Sequence, residues 1–261
     1  MTRSTEPIAL TSRLLDAAGF HHAFFTRQGG VSPSPWASLN FAASTGDSLD
    51  NVRANLAIAA RELSADPSRI FFLSQVHGTA AQILEGDEDR TEVVLRQGDV
   101  TLSRAPGVVC GVRSADCATV LIGDRLSGAV AAIHAGWRGA ARGVVERGVE
   151  ALRALVGASV DLVAAVGPHI EVCCFEVGDD VAAELAACSR LGEGVVVRGG
   201  PKPRVDLRAI VEDKLRASGV EPRSIDHVRG CTHCEGERFF SYRREGQVSG
   251  RLLSAIAVRS T

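Results

Sequence analysis

The 261-residue chain is 45% hydrophobic and 23% charged, a balance that excludes disorder as the default and supplies enough apolar material for a substantial core. A net charge of −2 offers no basic footprint for nucleic acid or a membrane surface, and no apolar run reaches the roughly 18 residues of a spanning helix. Seven cysteines fit a reducing compartment better than a paired secreted framework, and the first twenty residues lack a basic start followed by an apolar block, so a cytoplasmic location is expected.

In chain order, residues 1–19 include an amphipathic segment, and 20–26 read as a short apolar strand running into Arg27, Gln28, Gly29 and Gly30. Pro33 and Pro35 make the following stretch a loop, with Ser38 or Asn40 available to a polar ligand. A helix is predicted over 50–64, capped by Asp50 and turning Leu56, Ala59, Ala60 and Leu63 inward. The run 70–73 reads as a buried strand, and further strands are predicted at 93–95, 108–112, 118–123, 129–133, 161–166 and 252–258. Helices are predicted at 138–156, 178–188 and 206–217, the last capped by Asp206. Hairpin-like and helix-connected strands together predict an α+β fold, one layered domain over 1–261 with mixed β-sheets flanked by helices, in preference to a doubly wound fold. No Walker-type loop and no G-x-G-x-x-G follows a strand, which argues against ATP hydrolysis and nicotinamide chemistry.

Three segments carry the candidate chemistry. LSQVHG at 73–78, SADC at 114–117 and HAGWRG at 134–139 each place a His or Cys beside an apolar, strand-like run. Imidazole and thiolate suit zinc, and the set His77, Cys117, His134 would leave a fourth position for water or substrate. Against this, spacings of 40 and 17 residues match no compact zinc motif, and a small buried Cys is usually core. Asp116 could orient a ligand, carry a proton or cap a turn. Arg27, Arg138 and Arg243 are candidates for an oxyanion, the first two because glycines flank them. Trp137, Phe240 and Tyr242 could wall a flat ring, although large aromatics are more often core. Cys231 and Cys234 form a lone C-x-x-C around His233, a weak signal for a second zinc site or redox pair, and Cys173 and Cys174 should diverge if their segment is extended. A cysteine hydrolase with Cys117 as nucleophile, and a structural metal in a protein that acts through a partner, use the same residues.

Longer motifs extend through the chain: FFTRQGGVSPSPWASLN at 24–40, SQVHG at 74–78, GDVTLSRAPGVVCGVRSADCATVLIGD at 98–124, AAIHAGWRGAARGVV at 131–145, VGPHIEVCCFEVGDDV at 166–181 and CTHCEGERFFSYRREGQVSGR at 231–251. In these the chain resembles the YfiH-like, or laccase-domain, family, also described as multicopper polyphenol oxidases and later as purine nucleoside phosphorylases. The resemblance implies a YfiH-like fold and zinc on His77, Cys117 and His134, which match the family without substitution. It implies cleavage of adenosine, inosine, guanosine or 5'-methylthioadenosine by phosphate to free base and ribose 1-phosphate, with some adenosine deamination. Purine nucleoside and phosphate are the expected partners of a monomer or homodimer, with Asp116 catalytic and Arg27, Asn40, Arg138 and Arg243 binding substrate. The older name keeps copper-dependent phenol oxidation as the rival, although a laccase needs several copper centres. Ser114 stands where Thr is commoner in the family, and His169 where Cys often stands.

Overall fold

The computed structural model of the chain describes residues 8–157 and 159–259; residues 1–7 of the expected amphipathic segment lie outside them. In order come β1 (Ala9–Leu10), α1 (Arg13–Ala17), β2 (His22–Phe25), α2 (Leu49–Glu62), β3 (Ile70–Phe71), β4 (Ala81–Ile83) and α3 (Arg90–Val93). The central block is β5 (Val100–Ser103), β6 (Val109–Ser114), β7 (Ala118–Asp124), β8 (Val130–Ala135), α4 (Trp137–Ala141), α5 (Val144–Val156) and β9 (Leu162–Val166). The chain continues through α6 (Asp179–Ala187), β10 (Val196–Val197), β11 (Arg204–Val205), α7 (Leu207–Ala217), β12 (Ile225–His227), α8 (Tyr242–Glu245) and β13 (Leu252–Ala257).

The fold is α+β. A five-stranded sheet runs β1-β2-β13-β6-β3 and a six-stranded sheet runs β12-β9-β7-β8-β5-β4. Both are mixed, because β3 pairs parallel to β6, β4 to β5 and β12 to β9, while the remaining pairs in these sheets are antiparallel. Three apolar layers follow from the alternation of side chains. Phe24, Phe71 and Val112 of one sheet meet Leu121, Val130, Ala132 and Val163 of the other. Val120, Ile122 and Ile133 face the opposite way, onto Val145, Val149 and Leu152 of α5 and Ile210 and Val211 of α7. Leu56, Ala59 and Ala60 of α2 cover the outer face of the five-stranded sheet. A strand such as β7 is apolar without alternation because it is buried on both faces. Among the described residues no helix is long and apolar enough to cross a membrane.

Several local expectations are corrected. The helix expected over 138–156 is two helices, α4 and α5, because Gly143 takes a left-handed φ of 87° between them. Ser48, not Asp50, caps α2 by accepting from the Asn51 amide, and Asp50 lies in the first turn, where a carboxylate suits the helix dipole. No strand forms at 93–95: Asp89 caps α3 there, Val93 is buried and Leu95 points to solvent.

Both sheets contribute to one seam. β7 and β8 are antiparallel neighbours with Thr119 opposite His134, so the start of β7 and the end of β8 lie together. The loop after β3 crosses from the other sheet to the same place.

Candidate metal centre and pocket

His134 shares the inter-sheet face of β8 with Val130 and Ala132, and Cys117, just before β7, has the side-chain parity of Thr119 and Leu121. His77 arrives on the loop after β3 with a left-handed φ of 57°, a conformation costly for a non-glycine residue. Asp99, fully buried just before β5, holds that loop. Its Oδ1 accepts from the His77 amide at 3.0 Å, and its Oδ2 from the amides of Gly78 at 2.7 Å and Val76 at 3.2 Å. The same Oδ1 lies 2.8 Å from Nδ1 of His134, which leaves Nε2 as the free ring nitrogen of that histidine.

One carboxylate thus sets two of the three donors. His77 Nε2 lies 3.7 Å from Cys117 Sγ, the two imidazole centroids are 4.9 Å apart, and one donor atom from each of the three residues falls within 4.8 Å of the others. The cradle leaves no room for a side chain at Gly136, where a Cβ would sit 2.6 Å from His77 Cδ2 and 2.9 Å from Cys117 Sγ.

Burial on its own raises the Cys117 thiol, but the charge of His134 and hydrogen bonds from both histidines override it and bring the thiol down to about 6. Burial likewise disfavours charge on His134, yet the Cys117 thiolate and Asp99 lift it to about 9. A thiolate is therefore available near neutral pH. Two imidazoles and a thiolate, all three lining the pocket, fit a borderline-soft cation such as zinc or copper, and three protein donors would leave it open to a further ligand.

That pocket, about 630 Å³, is in the range of small-molecule sites. Arg138 lies on its rim, its guanidinium 4.5 Å above the Trp137 ring and without a hydrogen-bonding partner among the described residues. Arg243 also lines it, with its guanidinium donating to the carbonyls of Cys174 and Glu176. Asp116 lines it with both oxygens engaged, accepting from Thr232 Oγ1 and from the Arg243 amide, each at 2.6 Å. This carboxylate holds the turn that presents Cys117.

Other sequence candidates lie elsewhere. Arg27 does not line the pocket; it donates to the carbonyls of Ala37 and Gly236 and to Glu245, and stacks over Phe240. Asn40 is fully buried, donating to Asp47 and Ala42 and accepting from the amides of Ala42 and Arg251, so it braces a loop. Phe240 is core, whereas Trp137 and Tyr242 do line the pocket. His169 is buried against Arg208 and forms no part of the wall. Sequence reasoning missed Asp99, and also Arg113 and Arg251, two half-buried guanidiniums of the lining. Burial above all, then the charge of Arg251, pulls Arg113 down to about 10.

A family model described as multi-copper polyphenol oxidoreductase laccase matches residues 21–259. The purine nucleoside phosphorylase YfiH of Shigella flexneri is 37% identical over 88% of this chain and 90% of its own. Adenosine deaminase RL5, from an unknown prokaryotic organism, is 33% identical over 90% of this chain and 92% of its own. The crystal structure of the Bacillus licheniformis protein YfiH superposes with a TM-score of 0.89 at 26% identity, covering 98% of each chain.

Proposed function

The chain belongs to the family described as multi-copper polyphenol oxidoreductase laccase, and on that premise we propose that it is a zinc-dependent purine nucleoside phosphorylase. The observation that carries this reading is the open three-donor centre of His77, Cys117 and His134 beneath an arginine-rimmed pocket. Its substrates are adenosine, inosine, guanosine or 5'-methylthioadenosine together with phosphate, and its products the free base and the sugar 1-phosphate. When bound, zinc would supply a Lewis acid beside the reacting oxygen.

The remaining work falls to the chain's own side chains. Arg138 is placed to receive phosphate, since a guanidinium pairs bidentately with an oxyanion and this one, stacked over Trp137, has no hydrogen-bonding partner among the described residues. Arg243 adds positive charge to the same wall. Trp137 and Tyr242 supply aromatic side chains to the pocket lining, the groups against which a purine would pack. As the glycosidic bond breaks, positive charge grows on the ribose, and phosphate held by the arginines is the nucleophile that meets it.

Deamination of adenosine in the same pocket is a second reading, favoured by the likeness to RL5. Phenol oxidation by copper is less well supported, because among the described residues only one metal-competent cluster contains imidazole. Inosine incubated with and without phosphate tests the reading. Hypoxanthine release should require phosphate and yield ribose 1-phosphate, and Arg138→Ala should raise the KM for phosphate about tenfold or more, the loss of one charge-assisted contact. Release of hypoxanthine with free ribose, independent of phosphate, would instead indicate hydrolysis, including the Cys117 nucleophile.

A further inference from the structure

Four cysteines outside the three-donor centre converge on one another. The segment 172–174 is a turn, not extended chain, so Cys173 and Cys174 do not diverge as expected; both approach Cys234. Cys173 Sγ lies 3.6 Å from Cys231 Sγ and 3.7 Å from Cys234 Sγ, and Cys174 Sγ lies 3.2 Å from Cys234 Sγ. All four sulfurs fall within 4.8 Å of one another. A disulfide would bring a pair to about 2.05 Å. Four thiolates around zinc, each roughly 2.3 Å from the ion, stand about 3.8 Å apart at the corners of a tetrahedron. The spacings here follow the tetrahedron.

We propose that Cys173, Cys174, Cys231 and Cys234 form a second, structural zinc site closed by four thiolates. The surroundings suit the charge. Four thiolates around a divalent ion carry a net −2, and two guanidiniums lie against the same turn, Arg204 3.3 Å from the Cys173 carbonyl and Arg243 3.4 Å from that of Cys174. The Cys231 amide donates to Glu235 Oε1 at 2.8 Å, a contact that fixes the start of the C-x-x-C. A backbone bridge between His169 and Cys231 already sets the two segments side by side.

The site has a structural consequence for the pocket. Thr232, inside the C-x-x-C, donates to Asp116, and the Ile170 amide donates to the Asp116 carbonyl. The clamp therefore secures, through two contacts, the turn that presents Cys117. On binding, the thiols give up their protons, so occupancy also ties the 172–174 turn to the 231–234 segment more firmly than the unliganded thiols can.

The test is metal content and cobalt(II) spectroscopy on the reduced full-length chain, using Zn2+ and Co2+ as probes. Wild type should retain two zinc ions per chain, Cys117→Ala one, and the double variant Cys173→Ser with Cys234→Ser one. Cys117→Ala removes a donor only from the other centre, so its remaining ion reports on the four-thiolate cluster whatever the first centre binds. Its cobalt form should show the intense thiolate charge-transfer bands of a tetrahedral S₄ site, and these should vanish when Cys173→Ser and Cys234→Ser are added. Cys117→Ala protein that binds no zinc and gives no cobalt–thiolate absorption would overturn the proposal. So would a native mass short of the reduced chain by the hydrogens of one or two disulfides among these cysteines.

Discussion

Asp99 carries two jobs that a neutral residue could not combine. Burial pushes its carboxyl up, but His134 and the amides of Gly78 and Val76 hold it below the usual carboxylate range, so the ionised group sits ready beside His134. Asp99→Asn keeps the shape while removing the charge, and turns one of its acceptors into a donor. Zinc affinity of the three-donor centre should fall roughly 10- to 100-fold, read by competition with a chromogenic chelator, as for other outer partners of metal ligands; unchanged affinity would show that His134 needs no orienting group. The three candidate donors stand out in the sequence because each adjoins an apolar run, but their spacing matches no compact zinc motif, and their convergence is visible only in the fold. Asp99 does not stand out, since an Asp after a Gly reads as a turn, and only the pairing of β5 with β8 sets it against His134. Arg27 fails in the opposite direction. Its glycine neighbours suggest ligand access, while its partners Gly236 and Glu245 are supplied by a segment some 200 residues away.

At the scale of elements, the junction of β8 with α4 sets the centre. Gly136 lets that chain pass beside both His77 and Cys117, and its replacement by alanine places a methyl group on the donors themselves. Gly136→Ala should weaken zinc binding by on the order of tenfold or more while far-UV circular dichroism stays native, because the methyl meets side-chain ends and not a packed backbone. Full retention of zinc would mean the donors can move aside without cost. Strands buried on both faces, β7 and β8, are read from sequence nearly to the residue, since a continuous apolar run bounded by turns has few other uses. β4 and β12 are not read: each is three residues long and only partly buried, and gains its identity from a partner strand distant in sequence. The break between α4 and α5 is equally local in cause, yet one glycine within a helical pattern gives no sure sign that its φ is positive.

Across the whole molecule, two mixed sheets pack face to face, and the pocket opens where their seam reaches the surface. Mixed hairpin and crossover connections announce the α+β class in the sequence, but not the meeting of the sheets, which depends on register. The same packing buries His169. Desolvation first, and the nearby Arg208 guanidinium second, hold it down to about 4, against 6.5 in the unfolded chain. The folded state thus keeps His169 neutral where the unfolded chain takes up a proton. Its contribution to stability is fully present above about pH 6.5, is lost as pH falls toward 4, and amounts to about 3 kcal/mol over that window. Thermal melts of wild type and His169→Gln across this range should show a shallower acid decline in the variant; parallel curves would mean that His169 titrates normally in the fold.

The most direct test compares wild type with Cys117→Ala for metal content and for phosphate-dependent release of hypoxanthine from inosine. The expected result is one zinc fewer per chain in the variant and phosphorolysis reduced to the blank rate. A variant that keeps its full zinc content and still cleaves inosine with phosphate, or a zinc-loaded wild type that releases no base, would contradict it.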